Sequence, residues 1–266
     1  MTDGSLLVAL DVDGTLLHED GTMSDAVIAA AQAASARGHH LMLATGRSWE
    51  TTHQVLGQLG ISPDYVVCAN GALVMRRDLT EPTGYNRHLI ETFDPGEVLR
   101  TIRSHLADGR YMVEYPSGYR RYTEGMTDWN LENAEEVEFD RLLTEPVTRV
   151  VVVSPEHDEL DFLSIVEKMG LHQVTYAIGW TAWLDIAPLG VNKSTALERV
   201  RQWLGIPADR VVAVGDGRND IEMFEWAGRA GRAVAMGQAP DEVKAAATEV
   251  TGSIDDDGLV AVLASL

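Results

Sequence analysis

Two aspartates, Asp11 and Asp13, follow directly on the apolar run Leu6-Leu7-Val8-Ala9-Leu10, and Gly14 and Thr15 come straight after them. Side chains two positions apart on a strand share a face, so both carboxylates would leave a strand end together. Two like charges held that close are unfavourable without a cation or a shared proton. Such a pair could share a metal ion or a phosphate group. The plainer alternative is a strand that ends in a polar turn, for which Asp and Gly are ordinary residues.

Three further segments offer complementary chemistry. Thr45-Gly46-Arg47 follows the apolar stretch His40-Leu41-Met42-Leu43-Ala44 and places a hydroxyl and an unobstructed N–H ahead of a helix, a natural phosphate contact or a simple cap. Lys193, in Gly190-Val191-Asn192-Lys193-Ser194, stands where the helix dipole disfavours a cation. Solvent exposure would explain it, as would a duty to neutralise charge on a phosphoryl group in transfer. Gly215-Asp216-Gly217-Arg218-Asn219-Asp220 carries acids at i and i+4, which on a helix meet on one face. Asp216 and Asp220 would then flank a hard cation, and oxygen ligands without Cys or His suit Mg²⁺. A capping role covers Asp216 but not Asn219 and Asp220.

These segments need a scaffold that gathers strand ends. Residues 5–77 alternate short apolar strands with amphipathic helices, one running from Ser24 as N-cap to about Arg37 and another from Ser48 to Gly60, with a third strand at Tyr65-Val66-Val67-Cys68-Ala69. That rhythm indicates a parallel α/β sheet, whose ligands bind beyond the carboxyl ends of the strands. It resumes from about residue 190: a helix from Lys193 to Leu204, a strand at 210–214, helical turns at 219–226, a strand at 230–235, and helices at 241–247 and 259–266. Between them, 80–187 reads as an α+β module, with antiparallel strands at 111–115 and 119–122, further strands at 148–153, 172–177 and 182–187, and helices at 95–107 and 158–169.

Composition narrows the function classes. The 266 residues carry 21 basic and 41 acidic side chains, a net charge of −20, which argues against nucleic acid or an anionic membrane as the main partner. No apolar run approaches the roughly 20 residues of a membrane helix, and the first residues lack a basic signal region, so a cytoplasmic protein is expected. Cys68 is the single cysteine, which rules out an intrachain disulfide and suits a small core residue.

The segments occur in the order of the motifs of the haloacid dehalogenase (HAD) superfamily: Asp11-Val12-Asp13-Gly14-Thr15, then Thr45, then Lys193, then Gly215-Asp216-x-x-Asn219-Asp220. The placement and texture of the insert resemble the C2B-type cap of the Cof-type HAD phosphatases, as do Asn70-Gly71-Ala72 and the run from Asp216 to Met223. Val12 stands where Leu or Phe is common. The resemblance implies a Rossmann-like parallel-sheet core in two parts, 1–79 and 188–266, with an α+β cap over 80–187; because such a reaction must be shielded yet admit substrate, the cap is expected to move about hinges near Glu81-Pro82 and Ala187-Pro188, where prolines flank the insert. It implies a Mg²⁺-dependent phosphomonoester hydrolase acting on a small phosphorylated metabolite. Asp11 would be the nucleophile and form an aspartyl-phosphate. Asp13 would be general acid and then base. Lys193, Thr45, Gly46 and Asn219 would contact the phosphoryl group. Asp11, the backbone carbonyl of Asp13, and Asp216 would hold the metal, with Asp220 bound through water or supporting the ligands.

A phosphomutase with the same nucleophile, and a non-catalytic phosphometabolite-binding protein, are the alternatives. A P-loop kinase is excluded, since the chain has no G-x-x-x-x-G-K-[ST]. The substrate and the oligomeric state are left open. Glu114, Tyr119, Arg120, Trp180 and Trp183 are the insert's candidate pocket residues.

Overall fold

A computed structural model describes residues 4–124, 126, 131, 133–172, 174–178 and 182–266. In chain order the elements are β1 (Leu7–Leu10), α1 (Asp25–Ala36), β2 (His40–Leu43), α2 (Trp49–Leu59), β3 (Tyr65–Cys68), β4 (Leu73–Arg77) and β5 (Tyr85–Ile90). They continue with α3 (Gly96–His105), β6 (Arg110–Glu114), β7 (Arg120–Tyr122), β8 (Ala134–Glu136), β9 (Arg149–Val153), α4 (Glu159–Met169), β10 (Val174–Ile178) and β11 (Trp183–Pro188). The chain closes with α5 (Lys193–Leu204), β12 (Val211–Gly215), α6 (Ile221–Ala227), β13 (Arg232–Ala235), α7 (Asp241–Ala246), β14 (Glu249–Val250) and α8 (Gly258–Ala264). Two compact units result, one of 1–88 with 192–266 and one of 89–191.

The first unit is built on a parallel sheet in the order β14-β13-β12-β1-β2. β1 lies between β2 and β12, with Leu10 opposite both Leu43 and Val214. Leu7, Val8, Ala9 and Leu10 are all fully buried, as the uninterrupted apolar run requires of a strand covered on both faces. Helix α1 starts where Ser24 accepts the Val27 N–H, and α2 stops at Gly60 in the left-handed conformation. Ser48 occupies the N-cap of α2 but makes no capping bond through its side chain.

β3 runs parallel to β2, as the sequence rhythm predicts, but it also opens a second, antiparallel sheet. β3 touches the parallel sheet through a single bridge, Ala44 to Val67, and its main partner is β4, antiparallel, in a sheet ordered β3-β4-β5. The turn Ala69-Asn70-Gly71 reverses the chain directly, so no crossover helix intervenes. Gly71 is indispensable to that turn: its φ is +100°, and a Cβ there would run into the backbone carbonyl of Asn192, just ahead of α5.

The second unit has a mixed sheet in the order β10-β11-β9-β6-β7-β8, antiparallel except for the β7–β8 pair. Val98, Leu99 and Ile102 of α3 and Phe162 and Val166 of α4 pack on Tyr111, Val113, Val150, Val152, Leu184 and Ile186. The alternate residues of these strands carry two buried ion pairs, Arg149–Asp185 at 2.7 Å and Arg120–Glu114 at 3.3 Å. Glu114 and Arg120, read as pocket candidates, therefore partner each other, while the Tyr119 hydroxyl donates to Glu135. Trp183 is half-buried beside the Met112–Val151 cluster, and Trp180 lies outside the described residues. Ala187 and Pro188 belong to β11, paired with Thr175 and Val174, so the chain leaves this unit after them, through Leu189–Val191.

Gly71→Ala should lower the unfolding free energy by about 2–4 kcal/mol, from the left-handed backbone and the overlap with Asn192 together. Urea melts of the purified variant measure this. A midpoint equal to that of the wild type would show that the turn can relax.

Candidate active site

The polar residues collect at the carboxyl ends of the parallel strands. Asp11 continues β1, its N–H bonded to the Val214 carbonyl at 2.9 Å. The chain then folds into a tight loop in which the Val12 carbonyl accepts from the N–H groups of Thr15, Leu16 and Leu17. Gly14 has φ +76°, and any side chain there would overlap the Asp216 carboxylate. Thr15 donates to Asp216 Oδ1 at 3.3 Å. The glycine in Asp13-Gly14-Thr15 therefore makes room for an acid from the far end of the chain.

Lys193, the first residue of α5, is fully buried. Its Nζ donates to Asp11 Oδ1 and to Asp220 Oδ1, both at 2.7 Å. The backbone that delivers it is fixed by a reciprocal cap: Asn192 accepts the Thr195 N–H, and Thr195 accepts the Asn192 N–H. This removes the expectation of a merely solvated lysine.

Asp216 and Asp220 meet, but not across one face of a helix. Asp216 is in the loop after β12, and Asp220 ends a single 3₁₀ turn, Arg218–Asp220, before α6. The Asp220 carboxylate folds back to accept the N–H groups of Asp216 and Gly217, at 3.0 and 2.9 Å. Gly217, extended at φ −98° and ψ 165°, makes that return possible. Asp11, Asp216 and Asp220 each present a carboxylate oxygen within 4.8 Å of the others, all three buried. Three carboxylates against one ammonium leave a negative surplus inside the protein. Oxygen donors without His or Cys fit a hard divalent cation.

The electrostatics agree with that surplus. Burial, and then the Asp220 charge, raise Asp11 well above the usual carboxylate range in spite of Lys193. Burial and Asp220 also push Asp216 up to about 7, against the opposing pull of Lys193, Thr15 and Gln238. Burial alone would lower the Lys193 ammonium, but Asp11 and Asp220 outweigh it and the net shift is upward.

Asp13 stands apart from this cluster. Its side chain is 60% exposed and bonded at both oxygens by Arg47, Nε to Oδ2 at 2.9 Å and Nη2 to Oδ1 at 2.5 Å. Arg47 is a contact that reading the sequence missed, although it directly follows Thr45-Gly46. Thr45 is buried and uses its hydroxyl oxygen to accept the Arg47 N–H, which leaves the hydroxyl proton to donate elsewhere. Asn219 donates through Nδ2 to Asn70 Oδ1 at 3.0 Å, and the Asn70 side chain lies against Gly46. Asn70, held at φ 48°, thereby ties together the ends of β2, β3 and β12. The Asn-Gly pair in the sequence signalled its turn, not this contact.

A family model described as haloacid dehalogenase-like hydrolase matches residues 8–263. A 5-amino-6-(5-phospho-D-ribitylamino)uracil phosphatase of Bacillus subtilis is 28% identical over 271 residues, spanning 97% of this chain and 96% of its own length. A pyridoxal phosphate phosphatase of Escherichia coli is 28% identical over 273 residues, with 95% of each chain covered. Among solved structures, a haloacid dehalogenase-like hydrolase of B. subtilis superposes with a TM-score of 0.79 at 23% identity, covering 98% of this chain and 99% of that one. A sugar phosphatase of HAD subclass IIB gives 0.78 at 21% identity, with 98% of both covered. These two likenesses concern the fold. With the family model spanning nearly the whole chain and the acidic cluster at its strand ends, the protein belongs to the haloacid dehalogenase-like hydrolases.

Proposed function

We propose that this enzyme hydrolyses phosphate monoesters of small metabolites through an aspartyl-phosphate formed on Asp11. The observation that carries the reading is the Asp11 carboxylate, held from one side by Lys193 Nζ at 2.7 Å and flanked by Asp216 and Asp220. Lys193 occupies Oδ1. Oδ2 has no hydrogen-bond donor among the described residues and is the oxygen available to attack phosphorus.

In the first step the Asp11 oxygen bonds to phosphorus and the ester oxygen leaves, taking a proton from Asp13. In the second, Asp13 removes a proton from water, the water oxygen bonds to phosphorus, and the Asp11–phosphorus link breaks, releasing phosphate and regenerating Asp11. With both oxygens accepting from Arg47, Asp13 has no proton to give in the pose described. That pose suits the second step, and the first requires Asp13 to turn from Arg47, as its exposed loop position allows. Thr45 with its free hydroxyl proton, the Gly46 N–H and the Asn219 amide are the donors assigned to the phosphoryl oxygens. Lys193 stays an ammonium throughout and offsets charge as the phosphoryl group moves.

The oxygen donors fit a hard divalent cation, read here as Mg²⁺, which Asp11, Asp216 and the Asp13 carbonyl would hold with Asp220 in support. When bound it supplies positive charge against the transferring phosphoryl group. The cytoplasm is the setting kept from the sequence; among the described residues no helix is long and apolar enough to cross a membrane. Relatives named for 5-amino-6-(5-phospho-D-ribitylamino)uracil and for pyridoxal phosphate support a small phosphorylated metabolite as substrate, its identity chosen by the inserted module.

Asp11→Asn should lose at least about three orders of magnitude in kcat on p-nitrophenyl phosphate with Mg²⁺ in protein that circular dichroism shows to be folded, because an amide is a poor nucleophile. Near wild-type turnover would remove Asp11 from its role. Rapid-quench kinetics of Asp13→Asn should show both phosphorylation and dephosphorylation slowed by roughly 10²–10⁴. If either step keeps its rate, one residue does not serve both.

Stability should register the cation. Asp216 is raised from 3.8 to about 7 in the folded protein, so the folded state holds its proton more tightly than the unfolded chain does. Metal-stripped protein should therefore lose stability as pH rises through that window, from about pH 4 to about pH 7. Scanning calorimetry should give a larger Mg²⁺-induced rise in Tm at about pH 8 than at about pH 5, and Asp216→Asn should flatten the difference. An equal rise at both values would contradict metal binding at Asp216.

A further inference from the structure

At the carboxyl end of the parallel sheet, one side chain ties together the loops that follow β1, β12, β13 and β14. Gln238 comes after β13, and the backbone beside it is fixed: the Met236 N–H bonds the Gly215 carbonyl and the Gly237 N–H bonds the Gly252 carbonyl, each at 2.9 Å. Its Oε1 accepts the Ile254 N–H at 3.0 Å. Its Nε2 donates to the Gly14 carbonyl at 2.5 Å. A backbone N–H only donates and a carbonyl only accepts, so these partners settle which way round the amide lies. One proton of Nε2 is left over, and the same side chain hydrogen-bonds the Asp216 carboxylate.

Stability gives little reason for this arrangement. Gln238 is exposed. Holding a glutamine in one rotamer costs side-chain entropy, and a hydrogen bond made near solvent largely replaces one made to water. The bonds converge instead on the groups read as cation ligands. Asp216 Oδ1 takes the Thr15 hydroxyl at 3.3 Å, so Thr15 and Gln238 together fix how that carboxylate is turned. The Asp13 carbonyl shares a peptide plane with the Gly14 N–H, which donates to the Leu17 carbonyl at 2.9 Å. On the other side of Gly14, Gln238 holds the carbonyl. Glycine has the most backbone freedom to lose, and Gly14, at φ +76°, is pinned both before and after its Cα.

The choice of cation makes such pinning matter. Mg²⁺ demands near-ideal octahedral oxygen geometry, whereas Ca²⁺ accepts longer and more varied bonds. Groups that orient metal ligands without touching the metal typically govern affinity by about 10–100-fold.

We propose that Gln238 is a positioning residue for the cation: its amide holds the Asp216 carboxylate and the Asp13–Gly14 backbone at one spacing, preset for Mg²⁺. The proposal rests on the reading of Asp11, Asp216 and Asp220 as a divalent-cation site.

Scanning calorimetry of the metal-stripped full chain, titrated with Mg²⁺ or Ca²⁺, tests it without recourse to turnover. Gln238→Met keeps the reach of the side chain and removes both donor and acceptor. In protein that circular dichroism shows to be folded, it should need about tenfold more Mg²⁺ than the wild type for the same rise in Tm. For Ca²⁺ the increase should be less than about threefold. Asp216→Asn, which removes a ligand outright, should lose most of the Mg²⁺ response. If Gln238→Met follows the wild-type Mg²⁺ curve while Asp216→Asn has lost it, Gln238 has no such role and the cation site stands. If Asp216→Asn itself keeps the wild-type curve, the cation site fails and the proposal falls with it. Equal weakening for Mg²⁺ and Ca²⁺ in Gln238→Met would mean general loosening, and would also overturn the proposal.

Discussion

A lysine side chain shielded from solvent cannot keep its charge unless carboxylates come to it. Lys193 draws Asp11 from the first strand and Asp220 from the loop after β12, residues 182 and 27 positions away in the chain. Removing one partner of such a buried pair costs about 3–5 kcal/mol, because the other charge is left uncompensated. The requirement is mutual: the same carboxylates crowd one another and gain from the ammonium. The neighbouring features follow from it. Gly14 clears space for Asp216, Asp220 is anchored by two backbone N–H groups, and the Asn192–Thr195 cap sets where α5 begins. Stability and reactivity are in tension at this spot, since the arrangement that holds the acids close also leaves them short of positive charge.

The exposed part of the site follows a different logic. Asp13 and Arg47 form their pair near solvent, where an ion pair contributes at most about 1 kcal/mol. That is weak enough to exchange during a reaction cycle, whereas the Lys193 contacts are not. A single strand end thus presents one carboxylate locked in place and another, two residues on, that is free to turn.

How much was legible in the sequence depends on how local each feature is. The parallel core could be read because uninterrupted apolar runs, caps and glycine stops are properties of a few neighbouring residues. The convergence of Asp11 and Asp216 could be read because a parallel sheet sends every strand end to one edge; Lys193 begins a helix instead, and only the order of the motifs placed it with them. Asp220 was placed beside Asp216 for the wrong reason: the spacing suggested a helix face, but a 3₁₀ turn and a carboxylate-capped loop bring the two together. The Arg47–Asp13 and Asn70–Asn219 contacts were not legible, since each depends on side-chain rotamers across separate strand ends. The reversal of β4 against β3 was hidden as well. An Asn-Gly turn announces a change of direction but not which strand becomes the partner.

The position of β1 between β2 and β12 has a consequence for synthesis. On the ribosome the first 88 residues emerge with one edge of their central strand unpaired, and the chain that covers it comes only after residue 191. Residues 89–191 are contiguous and carry their own apolar core, so they are able to fold while the earlier segment waits. A segment made later therefore completes a strand made earlier, and a nascent chain stalled before β12 would expose an adhesive sheet edge to any chaperone or aggregating neighbour at hand.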